Sequence, residues 1–263
     1  MLRIYWVYLK TALAMQFQYR AAMAIWMINR VVEPTVFLVV WVTIANARGT
    51  VGSYGAADFA AYFIILMVVN QLTFTWIIFE FEWRIRSGEF SSILLRPIHP
   101  IHSDIADNLG YKLLTLVILL PAAALLIVLF EPAFEPRLVS LGLAAVSLVI
   151  AYFLRMFVDW GFALSGFWTT RTSALNQIYF LVMLFCSGRL APLELLPHWL
   201  ERVSWYLPFR WTGFFTVELA LNRLAPAEIA AGFRMQVLWL ALGLLLMQAV
   251  WRLGVRKYTA VGS

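Results

Sequence analysis

The chain has 263 residues, of which 63% are hydrophobic and 13% charged, with a mean hydropathy of +0.81. These values lie far from soluble globular norms and place most of the chain in lipid, as one integral membrane domain (1–263) with no separate soluble module. The net charge of +6 does not point to nucleic acid, because the basic residues are spread over helix ends, where anionic lipid headgroups are the natural partner. The single cysteine, Cys186, excludes an internal disulfide and a cysteine zinc cluster and reads as a small hydrophobe.

Residues 1–20 interleave Tyr5, Trp6, Tyr8, Phe17 and Tyr19 with Arg3, Lys10, Gln16, Gln18 and Arg20. That mixture predicts an interfacial elbow helix lying in the headgroup plane, and its charges exclude the apolar core of a cleaved signal peptide. A first span is expected at 22–46 and a second at 58–79, whose Asn70, Gln71, Thr73 and Thr75 face protein or water rather than lipid. Beyond Phe79 the pairs Glu80/Arg84 and Glu82/Arg86 are spaced i,i+4 in the favourable acid-first order. The second helix is therefore expected to continue out of the membrane. The third span is 110–130, with a kink at Pro121. The run 138–169 exceeds one perpendicular crossing, and 174–187 makes a shorter fifth span. Residues 188–234 are broken by Pro192, Pro197 and Pro208 into short pieces that read as re-entrant helices at one membrane face. Residues 235–252 form the last crossing. The expected fold is thus all-α, with six transmembrane helices.

With the amino terminus inside, eleven Lys and Arg residues, among them Arg84, Arg86, Arg96, Lys112 and Arg171, fall on the cytoplasmic side. Seven, including Arg189 and Arg210, fall outside. This bias favours cytoplasmic amino and carboxyl ends in the inner (plasma) membrane. No internal repeat is visible, which speaks against the common secondary-transporter folds.

The stretch RSGEFSSILLRPIHP, residues 86–100, lies in the cytoplasmic loop 80–105. Ser87 is a candidate N-cap, Glu89 occupies the first turn, and Phe90, Ile93 and Leu94 share one face. Pro97 ends the segment at Arg96, and Ser103 can cap the next helix. The result is a short helix presenting a knob of Phe90, Ile93, Leu94 and Leu95. A helix this short is unstable alone, so it either lies on lipid headgroups or docks into a groove of another protein.

The passage IRSGEFSSILLRPIHPIHSDIADNLGYKL resembles the first cytoplasmic loop of ABC exporter type-2 permeases, in which a helix ending Leu-Leu-Arg-Pro couples the membrane helices to the ATPase. The later SGRLAPLELLPHWLERVSWYLPFRWTGFFTVELALNRL is similar to that family's outer segment. The resemblance implies that Gly88, Glu89, Phe90, Ile93, Leu94, Leu95, Arg96 and Pro97 form the ATPase-coupling region. It also implies that Pro192, Pro197, Trp199, Pro208 and Phe209 belong to an extracytoplasmic gate. The implied assembly has two permeases, identical or homologous, and two ATP-binding cassette ATPase subunits, with ATP and magnesium on the ATPases. The chain itself holds no P-loop, since none of Lys10, Lys112 and Lys257 follows a glycine, and no cofactor is expected in it.

Other polar residues read as structural first. Arg30/Glu33 (i,i+3) and Arg155/Asp159 (i,i+4) form expected intramembrane ion pairs. His99, His102, Asp104 and Asp107 match no defined metal spacing. Two alternatives stand beside the exporter permease. One is a membrane-embedded enzyme acting on lipid headgroups through those four residues, and the other is an ion-coupled carrier, although no ladder of acids for proton relay is present. The cargo is not legible.

Overall fold

A computed structural model describes residues 2–18, 20–169 and 172–258. Tyr19 and Arg171, assigned above to the elbow and to the cytoplasmic side, lie outside the described residues, as does the side chain of Arg20. The described residues form twelve α-helices: α1 (Leu2–Gln18), α2 (Arg20–Arg48), α3 (Ala56–Thr73), α4 (Ile77–Arg86), α5 (Glu89–Leu94), α6 (Ile101–Phe130), α7 (Leu138–Ala163), α8 (Ser173–Cys186), α9 (His198–Trp205), α10 (Pro208–Thr212), α11 (Phe214–Ala220) and α12 (Pro226–Val255).

Local chemistry sets several helix starts. The Asp58 carboxylate accepts from the Gly55 amide at 2.8 Å ahead of α3, and Glu228 does the same for the Ala225 amide at 2.7 Å ahead of α12. Pro226 stands in the first turn of α12, where its missing N–H costs nothing. Pro34 and Pro121 lie inside α2 and α6, which run through them as single helices. Pro100, not Ser103, occupies the N-cap of α6; the Ser103 hydroxyl donates back to the Pro100 carbonyl at 2.7 Å.

Five helical stretches are long and apolar enough to cross a membrane: 25–48, 56–86, 101–130, 138–167 and 226–255. The second is interrupted, because α3 stops at Thr73 and α4 starts at Ile77, so the continuous second helix expected from the sequence is instead two helices in line. The fifth expected span is α8, whose 14 residues reach about 21 Å, short of a roughly 30 Å hydrocarbon core. The Phe214 amide donates to the Ser187 carbonyl at 3.0 Å. Thus α11 begins where α8 stops, and residues 188–213 are looped out between them.

Helix α3 packs on α2, α12 on α7, and α1 along the first half of α6. Two large apolar clusters result. One joins α4, α5, α7, α8 and α12 through Phe81, Phe90, Trp160, Leu164, Met183 and Met247, and Cys186 is buried in it. The other joins α2, α3, α6 and α11 through Leu38, Tyr54, Phe59, Tyr62, Leu119 and Phe214. Several tryptophans therefore serve as packing rather than interface belts, Trp160 and Trp211 being fully buried.

At Gly188 the backbone takes φ +83°, and its carbonyl accepts the Tyr62 hydroxyl at 2.8 Å. A Cβ there would lie 2.3 Å from the Tyr62 oxygen, whereas one at Gly49, with φ +85°, meets nothing within 4 Å. Both substitutions carry the strain of a left-handed backbone, but only one adds overpacking. In thermal melts of the purified protein, Gly188→Ala is expected to cost about 1–3 kcal/mol more than Gly49→Ala; equal losses would contradict this packing.

Candidate functional site

The short helix α5 hangs between α4 and α6. Its N-cap is Gly88, at φ +73°, rather than Ser87; that serine is the C-cap of α4. A left-handed residue between two helices reverses the chain tightly, and glycine adopts that conformation without Cβ strain. The expected knob divides into a root and a tip. Phe90 and Ile93 are buried, with the Phe90 ring 4.9 Å from Phe81, 5.3 Å from Phe167, 5.3 Å from Tyr258 and 6.0 Å from Trp251. Ser91 and Tyr258 share a 2.9 Å hydrogen bond. Leu95 is 87% exposed, Arg96 and Pro97 are exposed, and Leu94 is half-buried. The correction has a simple cause: the i,i+3,i+4 spacing marks an apolar face but not which way it turns, and here most of that face turns into the protein.

Around this root the polar residues tie α4 to its neighbours. Arg84 donates to Asp104 at 2.8 Å and to Glu80 at 2.5 Å, and the Trp160 indole donates to the other Asp104 oxygen at 2.8 Å. The Glu82/Arg86 pair is looser at 3.8 Å, while Glu82 accepts the Thr172 hydroxyl. His99 packs between Trp251 at 4.5 Å and Trp160 at 5.3 Å, and burial holds its imidazole below the ordinary value. His102 meets the Tyr5 hydroxyl at 2.6 Å, which links α1 to α6. His99, His102 and Asp104 are thus engaged with different partners, and Asp107 is exposed. Among the described residues, no three His, Cys, Asp or Glu side chains come together to hold a metal.

The interruption between α3 and α4 is built from buried polar groups. Phe74 is extended (φ −61°, ψ 142°), so the helical ladder cannot run through it. Its carbonyl accepts from Lys112 Nζ at 2.6 Å and Asn108 Nδ2 at 3.2 Å. The Thr75 hydroxyl donates to Asp159 at 2.6 Å; Tyr179 donates to the other Asp159 oxygen, and Arg155 approaches at 3.5 Å. The expected Arg155/Asp159 pair is therefore present. Arg30/Glu33 is not: Glu33 takes Arg189 at 2.6 and 2.7 Å, and the Arg30 guanidinium lies 3.3 Å above the Phe74 ring. Lys112, counted above toward orientation, is consequently embedded within α6, and Arg189, just past the end of α8, is turned in toward Glu33.

These groups share one level. Arg30 lies 18 residues before the end of α2, Lys112 lies 18 before the end of α6, Phe74 lies 18 after the start of α3 and Arg155 lies 17 after the start of α7. Those opposite ends are level with each other, since the Ala133 amide bonds the Ala57 carbonyl at 3.0 Å and Ser140 bonds Asn222 at 2.7 Å. At 1.5 Å per residue the polar level sits about 27 Å from that end, close to a hydrocarbon thickness of roughly 30 Å. Two cavities flank it and share Trp76. One of about 420 Å³ is lined by Trp26, Asn29, Arg30, Phe180 and Arg189, and one of about 320 Å³ by Gln16, Glu80, Asp104, Asp107 and Asn108.

The looped-out segment spans both levels, with Leu195 against Gly52 at the opposite end and Phe209 beside Tyr179 at the polar level. Pro192 precedes a 3-10 turn at Leu193–Leu195, and Pro197 is the N-cap of α9. Trp199 is exposed, while Pro208 and Phe209 are buried at the start of α10, with Phe209 5.2 Å from Tyr179. The five candidate gate residues thus do not form one cluster. Arg223 binds Asp58 at 3.2 Å and lies over the Tyr54 ring at 3.9 Å, and the Tyr54 hydroxyl donates to Glu218 at 3.1 Å.

Of the residues that hold the interruption, Thr75 is expected from the sequence to face protein or water and Lys112 is counted there as cytoplasmic, whereas Asn108 and Tyr179 carry no signal beyond polarity inside apolar runs. Asp159→Asn removes the counter-charge of buried Arg155 and is expected to cost about 3–5 kcal/mol, against about 1 kcal/mol for Thr75→Ala. Chemical unfolding of the two purified variants in detergent checks the ranking, and equal effects would contradict the charge network.

Comparison with family models finds one match, ABC-2 family transporter protein, over residues 31–262. No curated protein and no solved structure matches. The matched region runs from the middle of α2 past the end of α12, including the interruption, the α5 helix and the looped-out segment. A multi-pass helical chain with this match belongs to the ABC-2 family of transporter membrane proteins.

Proposed function

We propose that the chain is the permease subunit of an ATP-driven exporter in the inner (plasma) membrane. It works with a second permease, identical or homologous, and with two separate ATP-binding subunits that carry the ATP and magnesium. The amino and carboxyl ends and α5 face the cytoplasm, and α1 is the interfacial elbow. Six crossings are then α2, α3 with α4, α6, α7, α8 with α11, and α12. The segment 188–213, with Pro192, Pro197, Trp199, Pro208 and Phe209, is the re-entrant closure of the exit side.

The observation that carries this reading is the shape of α5. Leu95, Arg96 and Pro97 project into solvent beyond a root of Phe90 and Ile93 fixed among Phe81, Phe167, Trp251 and Tyr258. A projection that merely lay on lipid would not require so rigid a root. A projection that receives a push does, because packed interiors transmit displacement instead of absorbing it. Closure of the ATPase pair on the tip is passed by Phe90 into α4, α7 and α12. The interruption at Phe74–Trp76 lets α4 move with α5 while α3 keeps its packing on α2, which is a hinge motion.

Because its side chain is exposed, Leu95→Asp leaves the fold intact. The variant is expected to lose co-purification with the ATPase subunits and their stimulated ATP turnover, with unchanged thermal stability, and Leu94→Asp is expected to lose association as well. Wild-type association and turnover in Leu95→Asp would overturn the coupling role.

A further inference from the structure

The 420 Å³ cavity has an electrostatic asymmetry that the rest of the polar level does not compensate. Three arginines border that level, Arg30, Arg155 and Arg189, and arginine keeps its proton in proteins. Arg189 takes Glu33 and Arg155 takes Asp159. Among the described residues no carboxylate lies within 4 Å of Arg30; its only close partners are the faces of Phe74 at 3.3 Å and Trp76 at 5.4 Å. Cation–π contacts stabilise a desolvated guanidinium by less than its desolvation costs. The remaining wall is aromatic: Trp26 meets Trp76 edge-on at 5.2 Å, and Phe79 stacks on Phe180 at 5.2 Å.

We propose that this cavity binds the anionic head of an amphiphile, a phosphate or carboxylate bearing an apolar chain, with Arg30 as the counter-charge and Asn29 as an adjacent hydrogen-bonding group. Depth supports an amphiphile over a free anion. Arg30 lies about 27 Å from the far end of its helix, near one edge of the hydrocarbon, where a charged head in that leaflet resides. The rings of Trp26 and Phe79, both exposed, then offer their faces to the chain. A cationic head is disfavoured here: Glu33, the acid that lines this cavity, is held by Arg189, so the lining keeps the positive charge of Arg30, while Glu80, Asp104 and Asp107 line the other cavity. That the amphiphile is cargo rather than resident lipid rests on the transport reading above; the binding itself does not, and it is measured without any ATPase.

The test is titration of the purified full-length chain in a non-ionic maltoside with dodecyl phosphate, dodecyltrimethylammonium or inorganic phosphate, read as a saturable rise in melting temperature. Dodecyl phosphate is expected to stabilise the wild type, with at least about tenfold weaker apparent affinity in Arg30→Gln. Asn29→Asp, at an exposed and nearly isosteric position, is expected to weaken it similarly by cancelling the excess charge, and it decides the matter if Arg30→Gln does not fold. Equal stabilisation by dodecyltrimethylammonium, or unaltered dodecyl phosphate binding in Asn29→Asp, would overturn the proposal. An equal response to inorganic phosphate alone would overturn its amphiphile part. Resident lipid and cargo are separated by reconstitution with the ATPase: cargo is expected to raise ATP turnover in the wild type and not in Asn29→Asp, whereas binding without that response would overturn the cargo assignment and leave the site.

Discussion

A backbone carbonyl that leaves a helix inside a protein must find donors, because an unpaired buried polar group costs several kcal/mol. The Phe74 carbonyl is that group here. Lys112 and Asn108, both on α6, supply its donors, and the adjoining Thr75 is held by Asp159 on α7. With those partners the chain can interrupt its second span without breaking the fold. The α5 side of the interruption then forms a separate aromatic unit, the other side packs around Tyr54, Phe59 and Tyr62, and a smaller cluster gathers Leu154, Trp211 and Phe215.

The division gives the molecule a mechanical sense. The aromatic unit gathers α4, α5, the start of α6, the end of α7 and the end of α12, and it carries the exposed tip at Leu95. The other unit keeps α2, α3 and α11 together and is sealed by Arg223 against Asp58 and Tyr54. Between them lies the polar level, whose buried charges lose their pairing if the two units separate. Such a layer resists drift yet can exchange partners, as Glu33 does in choosing Arg189 over the nearer Arg30.

Much of this was legible beforehand. Apolar runs bounded by charge located most of the long helices within a few residues, although α12 begins at Pro226, nine residues before the expected crossing, and the prolines at 192, 197 and 208 announced the looped-out segment. The resemblance of the Leu94–Pro97 passage, taken together with that of the outer segment, pointed to the family. The interruption was not legible: Phe74, Thr75 and Trp76 include no proline or glycine, and Glu80/Arg84 argues for helix straight across. Its cause is tertiary, in side chains more than thirty residues away. The partner of Glu33 was equally hidden, since sequence spacing names only Arg30, and the true partner is 156 residues distant. The direction in which Phe90 points follows from Phe81, Phe167 and Trp251, which no local pattern contains.

The central claim is that the exposed tip of α5 is the contact through which separate ATP-binding subunits move this chain. Photo-cross-linking in native membranes tests it most directly, with a photoreactive diazirine residue in place of Leu95. The account predicts a covalent adduct with a nucleotide-binding subunit whose yield changes when ATP is bound. Adducts with lipid alone, in both nucleotide states, would contradict it.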